Sequence, residues 1–217
     1  MPAVPNPVVI ATRNAGKVKE FNAMLSKLGL EVHSLADYPD IPAIPEDGET
    51  FRDNAIIKAS AVANRLGCAV IADDSGLCVD RLNGAPGVYS ARFAGEQATD
   101  ADNNAKLVHM LQELAPDTAW PQQAEAFDDS KVQLLSTAQF VCVLALVVPG
   151  EAEPITAEGT CTGTILGEAR GNGGFGYDPL FYVPQLGRSM AELSMEEKNR
   201  LSHRSQALQR FMALISH

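Results

Sequence analysis

The sequence predicts a mixed α/β fold with a central sheet that is partly antiparallel. Two observations carry this. Over the first hundred residues, short apolar runs alternate with stretches whose apolar residues recur every three or four positions, as strands and helices in turn require. After residue 136, two long strand-like runs flank Pro149-Gly150, the pattern of a hairpin. No linker or internal repeat interrupts the 217 residues, so the chain reads as a single domain with a long polar surface excursion at about 116–136.

The elements follow in order. Val8-Val9-Ile10-Ala11 is a short strand, and Thr12-Arg13-Asn14-Ala15-Gly16-Lys17 a polar loop. Val18, Phe21, Met24, Leu25 and Leu28 then mark a helix that Gly29 stops. Residues 30–35 form a second strand, and 38–48, with three prolines and several acids, a loop. Thr50-Phe51-Arg52-Asp53 is a capping box. It opens a helix with Ala55, Ile56, Ala59, Val62, Ala63 and Leu66 on its apolar face, and Gly67 ends it.

Ala69-Val70-Ile71-Ala72 reads as a buried strand that ends at Asp73-Asp74-Ser75-Gly76, and Leu77-Cys78-Val79 resumes it. Asn83-Gly84 is a turn. Thr99-Asp100-Ala101-Asp102 caps a helix with Leu107, Val108, Leu111 and Leu114 inward. After the hairpin come Gly171-Asn172-Gly173-Gly174-Phe175-Gly176-Tyr177-Asp178-Pro179, a strand at 180–183, the capping box Ser194-Met195-Glu196-Glu197 and two closing helices.

Bulk properties narrow the function. The formal net charge of −10 argues against a protein that binds DNA or RNA along its backbone, which needs a basic surface. A phosphate-bearing small ligand stays open, because it needs only a local cluster of donors or a metal ion. Cys68, Cys78, Cys142 and Cys161 show no CxxC spacing and read as small thiols of a reducing compartment, most of them in apolar runs. Residues 1–7 lack the basic and apolar regions of a signal peptide, and the longest apolar run, 140–148, is too short to span a membrane. The expectation is a soluble cytoplasmic protein.

Four places carry chemistry. Adjacent carboxylates Asp73 and Asp74 at the end of a buried strand lie where open α/β sheets place ligands. Burying such charge calls for a cation or hydrogen-bond donors, so the pair suggests a divalent metal, a general base or both, against an ordinary Asx-turn. The loop 12–17 sets hydroxyl, amide and ammonium groups beside the N–H groups of a helix start, an anion cradle without the spacing of a Walker A loop. Glu46, Asp47 and Glu49 precede the second helix, where acids suit either the helix dipole or a metal. In 171–176 four glycines let a backbone approach a ligand, and Phe175 and Tyr177 offer rings for a planar base. Lys198, His203 and Arg204 add donors nearby in the chain.

Taken together, Thr12 to Lys17, Glu46-Asp47-Gly48-Glu49-Thr50-Phe51 with Asn54-Ala55 and Lys58-Ala59, Ala72-Asp73-Asp74-Ser75-Gly76, Gly84-Ala85-Pro86-Gly87 with Tyr89-Ser90-Ala91-Arg92, Gly173 to Pro179 and Ser202-His203-Arg204 occur in one order over nearly the whole chain. In this the sequence resembles the inosine/xanthosine triphosphate pyrophosphatases. The resemblance implies an α/β fold of two lobes on a long mixed sheet with flanking helices and a substrate cleft between the lobes. It also implies a homodimer, Mg²⁺ dependence, and hydrolysis of ITP, dITP and XTP to the monophosphate and pyrophosphate, which cleanses the nucleotide pool of deaminated purines.

Residue by residue, the resemblance makes Thr12, Arg13, Asn14, Ala15, Gly16 and Lys17 the triphosphate loop. Asp74 becomes metal ligand and proton acceptor, with Asp73 its supporting neighbour, Ser75 a substrate contact and Glu46 the second metal ligand. Phe175, Gly176, Tyr177 and Asp178 become the base-binding segment, and Lys198, His203 and Arg204 further substrate contacts. Donors such as His203 and Arg204 suit the 6-oxo group of hypoxanthine and xanthine. The segment 116–136 is longer than the family pattern. A house-cleaning pyrophosphatase of Maf type, with another base preference, and a non-catalytic nucleotide-binding module are the competing readings.

Overall fold

The computed structural model describes residues 6–114, 122–126 and 128–215. The described strands are β1 (Val8–Ile10), β2 (Val32–Ser34), β3 (Val70–Val79), β4 (Gln123–Glu125), β5 (Lys131–Val147), β6 (Ile155–Leu166), β7 (Phe181–Val183) and β8 (Arg188–Ser189). The described α-helices are α1 (Ala15–Leu25), α2 (Phe51–Leu66), α3 (Asp100–Glu113), α4 (Met195–Leu201) and α5 (His203–Ile215). The strands form one mixed sheet, and the chain divides into two units through which β3, β5 and β6 run.

The first unit draws on Met1–Ser75, Val141–Thr160 and Asn199–His217. Here β1 pairs in parallel with both β2 and β3. Because successive side chains of a strand point to opposite faces, each strand supplies two cores. Val8, Ile10, Ile71, Cys142, Leu144 and Leu146 pack with Phe21 and Leu25 of α1 and Ala207, Leu208 and Phe211 of α5. Val9, Ala11, Val70, Ala72, Val143 and Ala145 pack with Ala55, Ala59, Val62 and Ala63 of α2. The alternation decides the site: Asp73 falls on the α1/α5 face and Asp74 on the α2 face.

The second unit draws on Gly76–Phe140 and Cys161–Lys198. Here β7 pairs antiparallel with β6 and β8, and β4 antiparallel with β5. The Phe140 and Phe181 rings lie 4.3 Å apart, within the range of favourable aromatic pairs.

Three sequence expectations change. β3 does not stop at the acids; it runs through Asp73, Asp74, Ser75 and Gly76 to Val79. Ion pairing to helices on both sides lets it do so, a compensation that strand composition does not reveal. The polar excursion is shorter than 116–136, since β4 and the start of β5 form a hairpin with Val132, Leu134 and Leu135 buried. Residues 115–121 and 127 of that excursion lie outside the described residues. Leu114 is exposed, and Asn103 takes a buried place on α3 instead.

Candidate active site

The loop after β1 is built by its own side chains. Thr12 Oγ1 accepts from the Asn14 N–H at 3.2 Å, and Asn14 Oδ1 caps α1 by accepting from the Lys17 N–H at 3.0 Å. Ala15 and Gly16 then present first-turn N–H groups, which have no acceptor within a helix. Arg13 points elsewhere: its guanidinium donates to the Ile41 carbonyl at 2.6 Å and pins the following loop. Lys17, one turn into α1, pairs with Asp73 at 2.9 Å.

Asp73 is the hub of a buried charge network. The Arg204 guanidinium lies between Asp73, at 3.3 Å, and Glu20 of α1, and it donates to Ser75 Oγ at 3.0 Å. Its planar charge also faces the Phe21 ring at 5.9 Å. Arg204 is 1 % exposed. Burial disfavours the Asp73 charge, but Lys17 and Arg204 outweigh it and hold the carboxyl well below the usual carboxylate range. Arg204, expected among the substrate contacts, is paired here with the carboxylates of Asp73 and Glu20. Sequence reading passed over Glu20; its place beside Phe21 on the buried stripe of α1 was the available signal.

Asp74 sits on the other face. Its Oδ1 accepts from the Ser75 N–H at 3.0 Å and lies 3.5 Å from Lys58 Nζ, while Lys58 lies 3.3 Å from Glu46. Asp74 Oδ2 is buried and has no hydrogen-bond partner among the described residues. Burial is the main cause that lifts the Asp74 carboxyl above the ordinary range, and Glu46 adds to it. Burial works against the Lys58 charge too, but Asp74, Asp73 and Glu46 outweigh it and raise its pKa.

The loop carrying Glu46 is held by Asn54, whose Oδ1 accepts from the Gly48 N–H at 2.8 Å. A Cβ at Gly48 would collide with Asn54 and Asp53. Of the three acids, Asp47 and Glu49 are exposed and only Glu46 joins Lys58. Lys58 and Asn54 were missed as site residues. Polar groups on the apolar stripe of Ala55, Ala59 and Val62 were the sign.

In the second unit, Asp178 Oδ2 accepts from Lys198 Nζ at 2.8 Å and from the Phe175 N–H at 3.2 Å. Gly174 has φ +79°, and a Cβ there would strike both Asp178 and Lys198, so the ion pair requires glycine. Tyr177 is buried and its hydroxyl donates to the Ser90 carbonyl at 2.8 Å, which fixes the ring inside the unit. Phe175 keeps partial exposure.

The predicted residues thus fall into two groups. Lys17, Asp73, Asp74, Ser75, Glu46 and Arg204 come together in the first unit; Phe175, Gly176, Tyr177, Asp178 and Lys198 come together in the second. His203 is half-buried at the start of α5. Among the described residues no cluster of three or more His, Cys, Asp or Glu forms a ready-made metal cage. Mg²⁺ needs none, since it binds through one or two carboxylates plus water and phosphate oxygens. Glu46 with the unpartnered oxygen of Asp74 fits that donor set. The described helices include none long and apolar enough to cross a membrane.

The chain is similar to known proteins over most of its length. The sequence model of the Ham1 family matches residues 8–214. The chain is 50% identical to the dITP/XTP pyrophosphatase of Geobacillus kaustophilus (strain HTA426), over 93% of this chain and 90% of that one. It is 48% identical to the Bacillus anthracis protein of the same name, over 94% and 93%. Among solved structures, the Staphylococcus aureus Ham1 protein is similar with a TM-score of 0.77 at 40% identity, covering 97% and 98% of the two chains. A HAM1 protein from Coxiella burnetii is similar with a TM-score of 0.81 at 38% identity, covering 98% and 99%.

Proposed function

Because this chain belongs to the Ham1 family, we propose that it is a nucleoside triphosphate pyrophosphatase that converts dITP, XTP and ITP to the monophosphate and pyrophosphate with Mg²⁺. The observation that carries the reading is Asp74: a buried carboxylate with one oxygen anchored by Ser75 and Lys58 and the other without a partner among the described residues. A carboxylate so anchored suits accepting the proton of a water that attacks the α-phosphorus. The new P–O bond forms as the bond to the bridging α–β oxygen breaks, and pyrophosphate leaves.

Glu46 and Asp74 would hold the magnesium ion, which when bound neutralises charge on the phosphates and the leaving group. Lys58, between the two carboxylates, keeps both oriented. Lys17 and the N–H groups opening α1 offer donors to the phosphate chain. Asp73 acts through Lys17 and Arg204, which it fixes. By the family resemblance, the purine is assigned to the loop around Phe175, whose partly exposed ring can stack, and to the Asp178–Lys198 pair. From the resemblance we further infer a homodimeric state and a cytoplasmic role in clearing deaminated purines.

The test is pyrophosphate release from dITP, XTP and ITP beside the four common NTPs, with Mg²⁺ and with EDTA. We expect release from the three deaminated substrates to exceed that from ATP or GTP, and EDTA to abolish it. Release from a common NTP that equals or exceeds that from the three deaminated substrates, or release that survives EDTA, would overturn the reading.

A further inference from the structure

We propose that Asp100 and Asn104 of α3 are positioning residues that set the base-binding loop; this rests on the reading just given, in which the loop around Phe175 meets the purine. Gly176 lies in the left-handed region with φ +61°. Both its backbone groups are held from α3: its N–H donates to Asp100 Oδ2 at 2.7 Å, and its carbonyl accepts from Asn104 Nδ2 at 3.0 Å. The i, i+4 spacing puts the two side chains one turn apart on one face of the helix.

α3 is itself anchored, so it can act as a rigid reference. Asn103 accepts from the Ala94 N–H at 2.7 Å and donates to the Ala91 carbonyl at 3.1 Å, and Lys106 donates to the Phe93 carbonyl at 2.6 Å. On the other side of the glycine, Tyr177 is tied to Ser90 and Asp178 to Lys198. The Gly176 peptide follows Phe175 directly, so the two bonds from α3 fix the backbone beside the ring, in addition to Asp178, which accepts from the Phe175 N–H and donates to the Phe175 carbonyl. A glycine can leave the left-handed region at little cost, so the two side chains supply the restraint that glycine lacks. An acid in the first turn of a helix ordinarily needs no more explanation than the dipole; this one is aimed at an amide of another segment.

The inference is tested with Asp100→Ala, Asn104→Ala, the double variant and Asp100→Asn, which keeps an acceptor in place. Wild type and variants are assayed for pyrophosphate release from dITP and XTP. Inorganic tripolyphosphate, which carries the phosphate chain without a base, serves as competitive inhibitor. We expect KM for dITP and XTP to rise roughly tenfold in each alanine variant, the loss of about one hydrogen bond. We expect kcat within about twofold, tripolyphosphate inhibition unchanged, and substantial recovery in Asp100→Asn. Variants equal to wild type on both nucleotides would overturn the clamp, and so would a matching loss of tripolyphosphate affinity, which a merely structural role predicts. Wild type that releases no pyrophosphate from either nucleotide would instead overturn the functional reading, and the inference with it.

Discussion

Asp73 and Asp74 are neighbours in sequence with opposite surroundings, and substitution should separate them. Asp73 neutralises two cations at once, Lys17 and Arg204. Removing one member of a buried ion cluster leaves uncompensated charge, at a cost of about 3–5 kcal/mol. Asp73→Ala is therefore expected to lower the thermal midpoint markedly. For Asp74 the sign reverses. Its folded pKa is raised, mainly by burial, so the folded chain holds that proton more tightly than the unfolded chain does. Ionising it as pH climbs above about 4, the unfolded value, therefore opposes folding. Asp74→Asn removes that charge, so the midpoint should hold or rise at neutral pH while pyrophosphate release from dITP falls by roughly a thousandfold. Calorimetry beside the release assay checks both, and an active Asp74→Asn would sink the assignment.

At the level of elements, side-chain caps and close backbone approach set the frame. Thr50, Thr99 and Ser194 cap their helices as the sequence indicates. Glu197 completes the Ser194 cap and pairs with Arg188 at 2.5 Å. Its hydrogen bond with Arg188, followed by those with Ser194, holds its pKa down at about 2. A depressed carboxylate contributes stability above its unfolded value, about 4.3, and loses it as pH falls through the folded value. NMR titration should find the Glu197 midpoint far below that of an ordinary glutamate, and Arg188→Ala should bring it back up.

Backbone approach is tested at Gly159 of β6. A Cβ there would meet the backbone of α5 at His203 and Ala207 well inside contact distance. Gly159→Ala must push α5 off the sheet, and overpacking of this kind costs about 1–3 kcal/mol or more. Because α5 also carries Arg204, a loss of stability with a loss of dITP hydrolysis is expected together. An unaffected variant would show that the helix yields freely.

On the scale of the whole chain, homodimer formation is a property that light scattering can decide; a solution mass of twice the chain is expected, and a monomer would remove that part of the proposal. Much of the architecture could be read from residues 8–79, because periodicity, caps and stop glycines act over a few positions. The anion-cradle loop and the Asp pair were legible for the same reason: unusual polar groups stood at the ends of apolar runs. What the sequence by itself determined was most of the elements, the Thr12–Lys17 loop and the family pattern. What only the tertiary structure decided was partnership. It placed Asp73 with Arg204 and Glu20, Asp74 with Lys58 and Glu46, and Gly176 with Asp100 and Asn104. These pairs join residues from 12 positions apart, in Glu46 and Lys58, to 184 apart, in Glu20 and Arg204. No local pattern constrains such pairs, because strand alternation and helix packing fix which faces meet only once the sheet has formed.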